Sequence, residues 1–234
     1  MNTSPRSFFA AVQPLQWAMA ICGALSMLSS HWGFFSLHAV LKPMTMALAL
    51  VCVWQEADRP AHPTAPWLLL AGLALSLLGD ACLLVPEGFV PGLVAFLLAH
   101  VCYITLFGRD APWLAHKLAA LAVFAVGAAA YAYVWTHGLP PALRVPVAAY
   151  VLVISMMTAQ AIGRASVLRT PGARSVALGA VSFMVSDMVL AFDKFVQPLP
   201  ASALWVLGTY YLAQWLIVHG MLQVLHHNYQ NKSY

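Results

Sequence analysis

Apolar positions along this chain fall into long unbroken runs separated by short polar breaks, and within the runs there is no polar/apolar alternation of period two. Eight such runs can be marked, at about 11–29, 36–54, 67–85, 89–107, 113–135, 142–163, 174–196 and 202–224. Each approaches the roughly 20 residues a helix needs to cross the hydrocarbon layer. A transmembrane barrel would need polar positions facing its lumen, so strands are a poor alternative. The pattern predicts an all-α integral membrane protein of eight transmembrane helices in one bundle, forming a single domain over residues 1–234. The breaks carry turn chemistry: Pro60, Pro63 and Pro66 in one, Pro86-Glu87-Gly88 in another, and His137-Gly138-Leu139-Pro140-Pro141 in a third. None is long enough to separate two domains.

Composition agrees with the pattern: 62% of the 234 residues are hydrophobic and 8% charged, and the mean hydropathy is +0.80. Soluble domains do not have such values. The first run follows Arg6 without a cleavage site leading to a soluble domain, so it is expected to be a retained span. Arg6, Arg59, Arg109, Lys117, Arg164, Arg169, Arg174 and Lys232 flank one set of run ends, whereas Arg144 flanks the other. Both termini are therefore expected on the cytoplasmic side, as in a multi-pass protein of a bacterial inner membrane. The formal charge of +4 is accounted for by topology, and nucleic acid is not expected as a partner. Cys22, Cys52, Cys82 and Cys102 all lie inside runs, without CxxC spacing, and read as packing residues.

Charges inside the runs change the picture. An ionised side chain at the centre of a spanning helix costs about 2.5–3.5 kcal/mol on insertion scales, so such residues usually face a bundle interior or a cavity. At 1.5 Å per residue, Lys42, Asp80, Asp187, Tyr150, Tyr210 and Tyr211 lie roughly 8–13 Å below the outer ends of their runs. Five helices thus send polar groups to one layer. Asp187 and Lys194, seven apart, share a face, while Asp193 points away. Ser76 precedes Asp80 by one turn, Tyr210 and Tyr211 lie above Gln214, and Gly92, Phe96, His100 and Tyr103 form one stripe. Lys42 precedes Pro43, where a kink is expected. These groups are expected to wall one cavity open to the outer leaflet. Each also has a structural reading: Lys42 as the counter-ion of Asp80, Lys194 and Asp193 as interfacial residues, His100 and His219 as histidines satisfied by backbone carbonyls, and the tyrosines as belt or packing residues. A short echo, Gly79-Asp80-Ala81-Cys82-Leu83 against Ser186-Asp187-Met188-Val189-Leu190, would relate the halves as parallel four-helix repeats.

Several blocks, taken in order, carry a resemblance. They are Lys42-Pro43-Met44-Thr45-Met46, Leu78-Gly79-Asp80, the segment from Gly92 to Tyr103, Val185-Ser186-Asp187 with Lys194-Phe195, and Gly208-Thr209-Tyr210-Tyr211-Leu212-Ala213-Gln214. In these blocks, across nearly the whole chain, it resembles the YhhN-like lysoplasmalogenase family of eight-span membrane enzymes. The resemblance implies hydrolysis of the vinyl-ether bond of a lysoplasmalogen, giving a fatty aldehyde and glycerophosphocholine or glycerophosphoethanolamine. It also implies two essential acidic residues, for which Asp80 and Asp187 are the matching catalytic candidates; no cofactor or metal is expected. Lys42, His100, Tyr150, Lys194, Tyr210, Tyr211 and Gln214 are the candidate substrate-binding residues. Among them Lys42, Tyr210 and Gln214 would hold the head group and the attacking water.

The chemistry suits such residues. Protonation of the alkene carbon distal to oxygen gives an oxocarbenium ion, water captures it, and the hemiacetal collapses; two carboxylates in unlike environments can divide the acid and base roles. Alternatives remain at this level. The same groups would serve a proton-coupled transporter of a small or lipid-like solute. A zinc-dependent lipid hydrolase would need closely spaced ligands, but no HxxxH pair lies in a run and His226 and His227 are adjacent. A lipid-binding scaffold would use the polar layer only to set helix register. The partners expected are a lysophospholipid and the bilayer; oligomeric state is not readable.

Overall fold

The computed structural model describes residues 14–57 and 65–232, with side chains for 14–55 and 65–225. Arg6, Arg59, Pro60 and Pro63, and the side chains of His226, His227 and Lys232, lie outside the described residues. The described residues form eight α-helices: α1 Pro14–His31, α2 Phe35–Ala57, α3 Ala65–Cys82, α4 Phe89–Phe107, α5 Lys117–His137, α6 Arg144–Leu168, α7 Pro171–Phe195 and α8 Ser202–Lys232. Short 3₁₀ turns at Pro86–Gly88 and Pro141–Leu143 close the connections that the proline and glycine clusters marked. Six helices, α2 to α7, are long and apolar enough to cross a bilayer. Helices α1 and α8 fall outside that set; both turn polar residues inward, Gln16, Ser26 and Ser29 on one, Gln214 and His219 on the other. Large apolar side chains such as Ile21, Leu118, Leu121, Val145 and Leu178 are exposed on the outside, as a lipid-facing surface requires.

In the ring, α1 packs on α2 and α8, α2 on α3, α3 on α4, α4 on α6, α6 on α7, and α7 on α8, while α5 leans on α6 and α7. A parallel repeat would relate the packed pair α2–α3 to α6–α7, but the first helix of each half is placed differently: α1 sits within the ring and α5 does not.

Small residues set the close approaches. Gly72 and Gly79 of α3 lie under the rings of Tyr103 and Phe96 of α4. Gly179 of α7 faces the carbonyl of Ala213, and Gly172 faces that of Gly220, on α8. Along the same α7–α8 seam, Ser175, Ser182 and Ser186 donate to the carbonyls of Leu216, Thr209 and Val206 at 3.0, 2.8 and 2.9 Å. Van der Waals packing and interhelical hydrogen bonds drive association where water supplies no hydrophobic force, so this seam fixes the relative height of Asp187 and Tyr210.

Several helices end away from their expected limits, α8 running on to Lys232 rather than 224. Helix α5 starts at Lys117 rather than 113 because the preceding loop is held against α6: Gln160 accepts from the Leu114 amide at 2.9 Å and donates to the Phe107 and Pro112 carbonyls. Arg164, read as a cytoplasmic flank, is buried there and forms a two-pronged bond to Asp110, at 2.6 Å each. Helix α2 runs continuously through Pro43.

Candidate active site

Periodicity delivers the polar layer. On α4, Gly92, Phe96, His100 and Tyr103 are all buried on one face, and on α3 Ser76 and Asp80 share the inward side. From α2, the Lys42 ammonium comes within 3.3 Å of Asp80 Oδ1. Tyr210 of α8 donates to Asp80 Oδ2 at 2.6 Å. Gln214, one turn on, donates to the Tyr210 hydroxyl at 3.5 Å and accepts from Tyr103 at 3.1 Å. Lys42, Asp80, Tyr103, Tyr210 and Gln214 are each buried, so the first carboxylate sits in a sealed, charge-compensated cluster drawn from α2, α3, α4 and α8.

The second carboxylate is arranged differently. Tyr150 of α6 donates to Asp187 Oδ2 of α7 at 2.6 Å. Asp187 forms no ion pair among the described residues. Both residues line an apolar cavity of about 80 Å3. Its walls come from α4 (Phe89, Leu93, Phe96), α5 (Gly127, Ala130, Tyr131, Val134), α6 (Val147, Val151, Ile154) and α7 (Met184, Met188, Ala191, Phe195). Leu83, Phe89, Val134, Val147 and Phe195 in its lining place it toward the bundle end that bears the α3–α4, α5–α6 and α7–α8 connections. Tyr131 turns its hydroxyl to the Arg144 carbonyl, at 3.0 Å, so the polar groups left to the cavity are those of Asp187 and Tyr150.

The expectation of one cavity walled by all the polar groups is therefore corrected. Lys42, Asp80, His100, Lys194, Tyr210, Tyr211 and Gln214 are not among its walls. The cause is an aromatic partition: Phe183 packs edge-on against His100, Tyr210 and Phe96, with ring centroids 4.7, 5.4 and 6.1 Å apart, and Phe96 also meets Tyr210 at 5.9 Å. His100 is wholly buried in this partition, 5.3 Å from the Tyr150 ring, and neither ring nitrogen has a hydrogen-bond partner. Tyr211 turns to α1, where it bonds Ser26 at 2.8 Å; Ser26 also contacts His38 at 3.1 Å. Lys194 is exposed at the rim, its ammonium 4.5 Å from the Phe89 ring centroid. Asp193 accepts from the Leu199 amide at 2.7 Å, tying down the α7–α8 loop, and His219 bonds Gln16 and Gln223 at 3.0 and 2.9 Å. The sequence offered no signal for Phe183 or for the Ser26–His38 cluster, because a phenylalanine or serine in an apolar helix is ordinary.

An all-helical bundle with an apolar exterior, interior ionisable groups and a tyrosine-bonded carboxyl in an apolar cavity defines the chain as an integral membrane protein with a chemically equipped site. The YhhN family model matches residues 37–221, and the chain belongs to that family. Human lysoplasmalogenase TMEM86B is 38% identical over 156 residues, 67% of this chain and 64% of the human protein. The rat protein of that name is 35% identical over 189 residues, covering 79% and 73%. A lysoplasmalogenase of Mycobacterium bovis is 33% identical over 193 residues, covering 78% and 71%. The chain thus matches about two thirds to three quarters of these relatives' lengths. No solved structure matches.

Proposed function

We propose that this protein is a lysoplasmalogenase, an ether hydrolase that adds water across the vinyl-ether bond of alkenyl glycerophosphocholine or glycerophosphoethanolamine and releases a fatty aldehyde. The observation that carries the proposal is the Asp187–Tyr150 pair facing an otherwise apolar cavity: vinyl-ether hydrolysis needs a proton donor beside the hydrocarbon that carries the alkene. Relatives named lysoplasmalogenases at 33–38% identity support it. In this account the protein is one domain of eight spans, α1 and α8 included, with both termini cytoplasmic. A lysolipid reaches the cavity from the outer leaflet with its chain along the apolar walls, and Lys194 at the rim meets the phosphate.

Asp80 and Asp187 act together in catalysis, as acid and as stabilising anion for the oxocarbenium ion. Lys42, Tyr210 and Gln214 hold Asp80 in place, and His100 and Tyr211 brace the layer around it. The test is aldehyde release by Asp80→Asn and Asp187→Asn proteins shown to be folded. Each is expected to lose activity by about 10²-fold or more, the usual contribution of one acid/base group or of one group aimed at charge developing in the transition state. Parental rates in both would refute the assignment.

A further inference from the structure

Resting on the vinyl-ether activity, we infer that Asp187 is the acid that protonates the alkene, that Tyr150 is its positioning residue, and that Asp80 remains a fixed anion paired with Lys42.

Access separates the two carboxyls first. Asp187 and Tyr150 are on the cavity wall, whereas Asp80 lies behind the Phe96–Phe183 partition. A group that hands a proton to carbon must touch that carbon, since transfer works only at hydrogen-bond range.

Partners separate them next. A proton on Asp80 would break its pair with the buried Lys42 ammonium, leaving an uncompensated charge in a low-dielectric interior. Asp187 has one neutral donor, the Tyr150 hydroxyl on Oδ2, and Oδ1 takes no hydrogen bond among the described residues. It can therefore cycle between acid and carboxylate without stranding a charge on a partner, with Oδ1 free for substrate.

Tyr150 then favours the forward step. Its hydroxyl bonds more strongly to the carboxylate formed as the proton leaves than to the neutral acid, which is stabilisation realised in the transition state. The His100 ring braces the Tyr150 ring from behind, at 5.3 Å.

The steps balance. The O–H bond of Asp187 breaks and a C–H bond forms at the alkene carbon distal to the ether oxygen, leaving an oxocarbenium ion and the Asp187 carboxylate. Water adds to the cationic carbon and returns a proton to Asp187. The hemiacetal then splits, its hydroxyl proton passing to the departing glycerol oxygen as the aldehyde forms.

The experiment measures kcat and KM for aldehyde release from a choline lysoplasmalogen by the full chain, by Tyr150→Phe, and by protein carrying 3-fluorotyrosine or 3,5-difluorotyrosine at position 150. Tyr133→Phe serves as the control, because Tyr133 stacks on Phe192 away from the cavity. The expected result is a kcat about 100-fold lower for Tyr150→Phe, the scale of one lost donor to a developing anion. KM stays within about twofold, and kcat in the fluorinated series tracks phenol acidity. Parental kcat in Tyr150→Phe overturns the assignment. If Tyr150→Phe does not fold, a kcat that ignores fluorination overturns it instead. Failure of the unaltered chain to release aldehyde overturns the activity itself, and is thereby distinguished from failure at Tyr150.

Discussion

At the residue scale the two aspartates are alike in sequence and unlike in surroundings. Each takes a partner from the preceding helix: Lys42 of α2 for Asp80 of α3, and Tyr150 of α6 for Asp187 of α7. One partner is charged and the other neutral, and that difference separates a fixed ion from a group that exchanges its proton. A buried pair is sensitive to losing one member and tolerant of losing both, because an unpaired buried charge costs more than the pair contributes. Lys42→Met should therefore destabilise the protein by about 3–5 kcal/mol, and Lys42→Met with Asp80→Asn should recover most of that loss. Unfolding of the four proteins in detergent, read as a double-mutant cycle, measures it; a double variant no more stable than Lys42→Met would contradict the account. Charged residues in apolar runs announced themselves, so Lys42, Asp80 and Asp187 were legible from the chain alone. Which of them shared a cavity was not, because Phe96 and Phe183 divide the layer and look like any core aromatic.

At the element scale the helices were legible because a run long enough to span must satisfy its backbone internally. Their ends were less so. The run at 113–135 includes Trp113, yet the α4–α5 loop is fastened by Gln160 and Arg164 from another helix, a tertiary constraint that no local pattern encodes. Contact between helices depends on particular glycines. A Cβ at Gly79 would lie 2.6 Å from the Phe96 ring, whereas one at Gly208 would meet only the flexible Met27 sulfur at 3.3 Å. Gly79→Ala should thus push α3 from α4 at a cost of about 1–3 kcal/mol, disturbing the neighbouring Asp80 and lowering activity. Gly208→Ala should cost little. Melting temperatures and aldehyde release, measured side by side, distinguish them; equal effects would mean that the α3–α4 approach does not position the site.

At the scale of the whole molecule, a ring of helices keeps an ion pair dry at its centre while α5, leaning on α6 and α7, covers a cavity that only one of the two carboxyls lines. Sequence pattern reached the bundle and its polar layer, because hydrophobic runs and misplaced charges are one-dimensional signals. It could not reach the placement of α5 outside the ring, which is decided by packing between helices distant in the chain. The arrangement gives a hydrocarbon-bound substrate one proton donor beside its reactive carbon, and this is the central claim. The most direct measurement is free fatty aldehyde from the purified protein in detergent, given a choline lysoplasmalogen and, separately, its saturated-ether analogue. The account predicts aldehyde from the vinyl ether alone, because only an alkene can accept the Asp187 proton at carbon. Absence of aldehyde from both, with the protein folded, would contradict it.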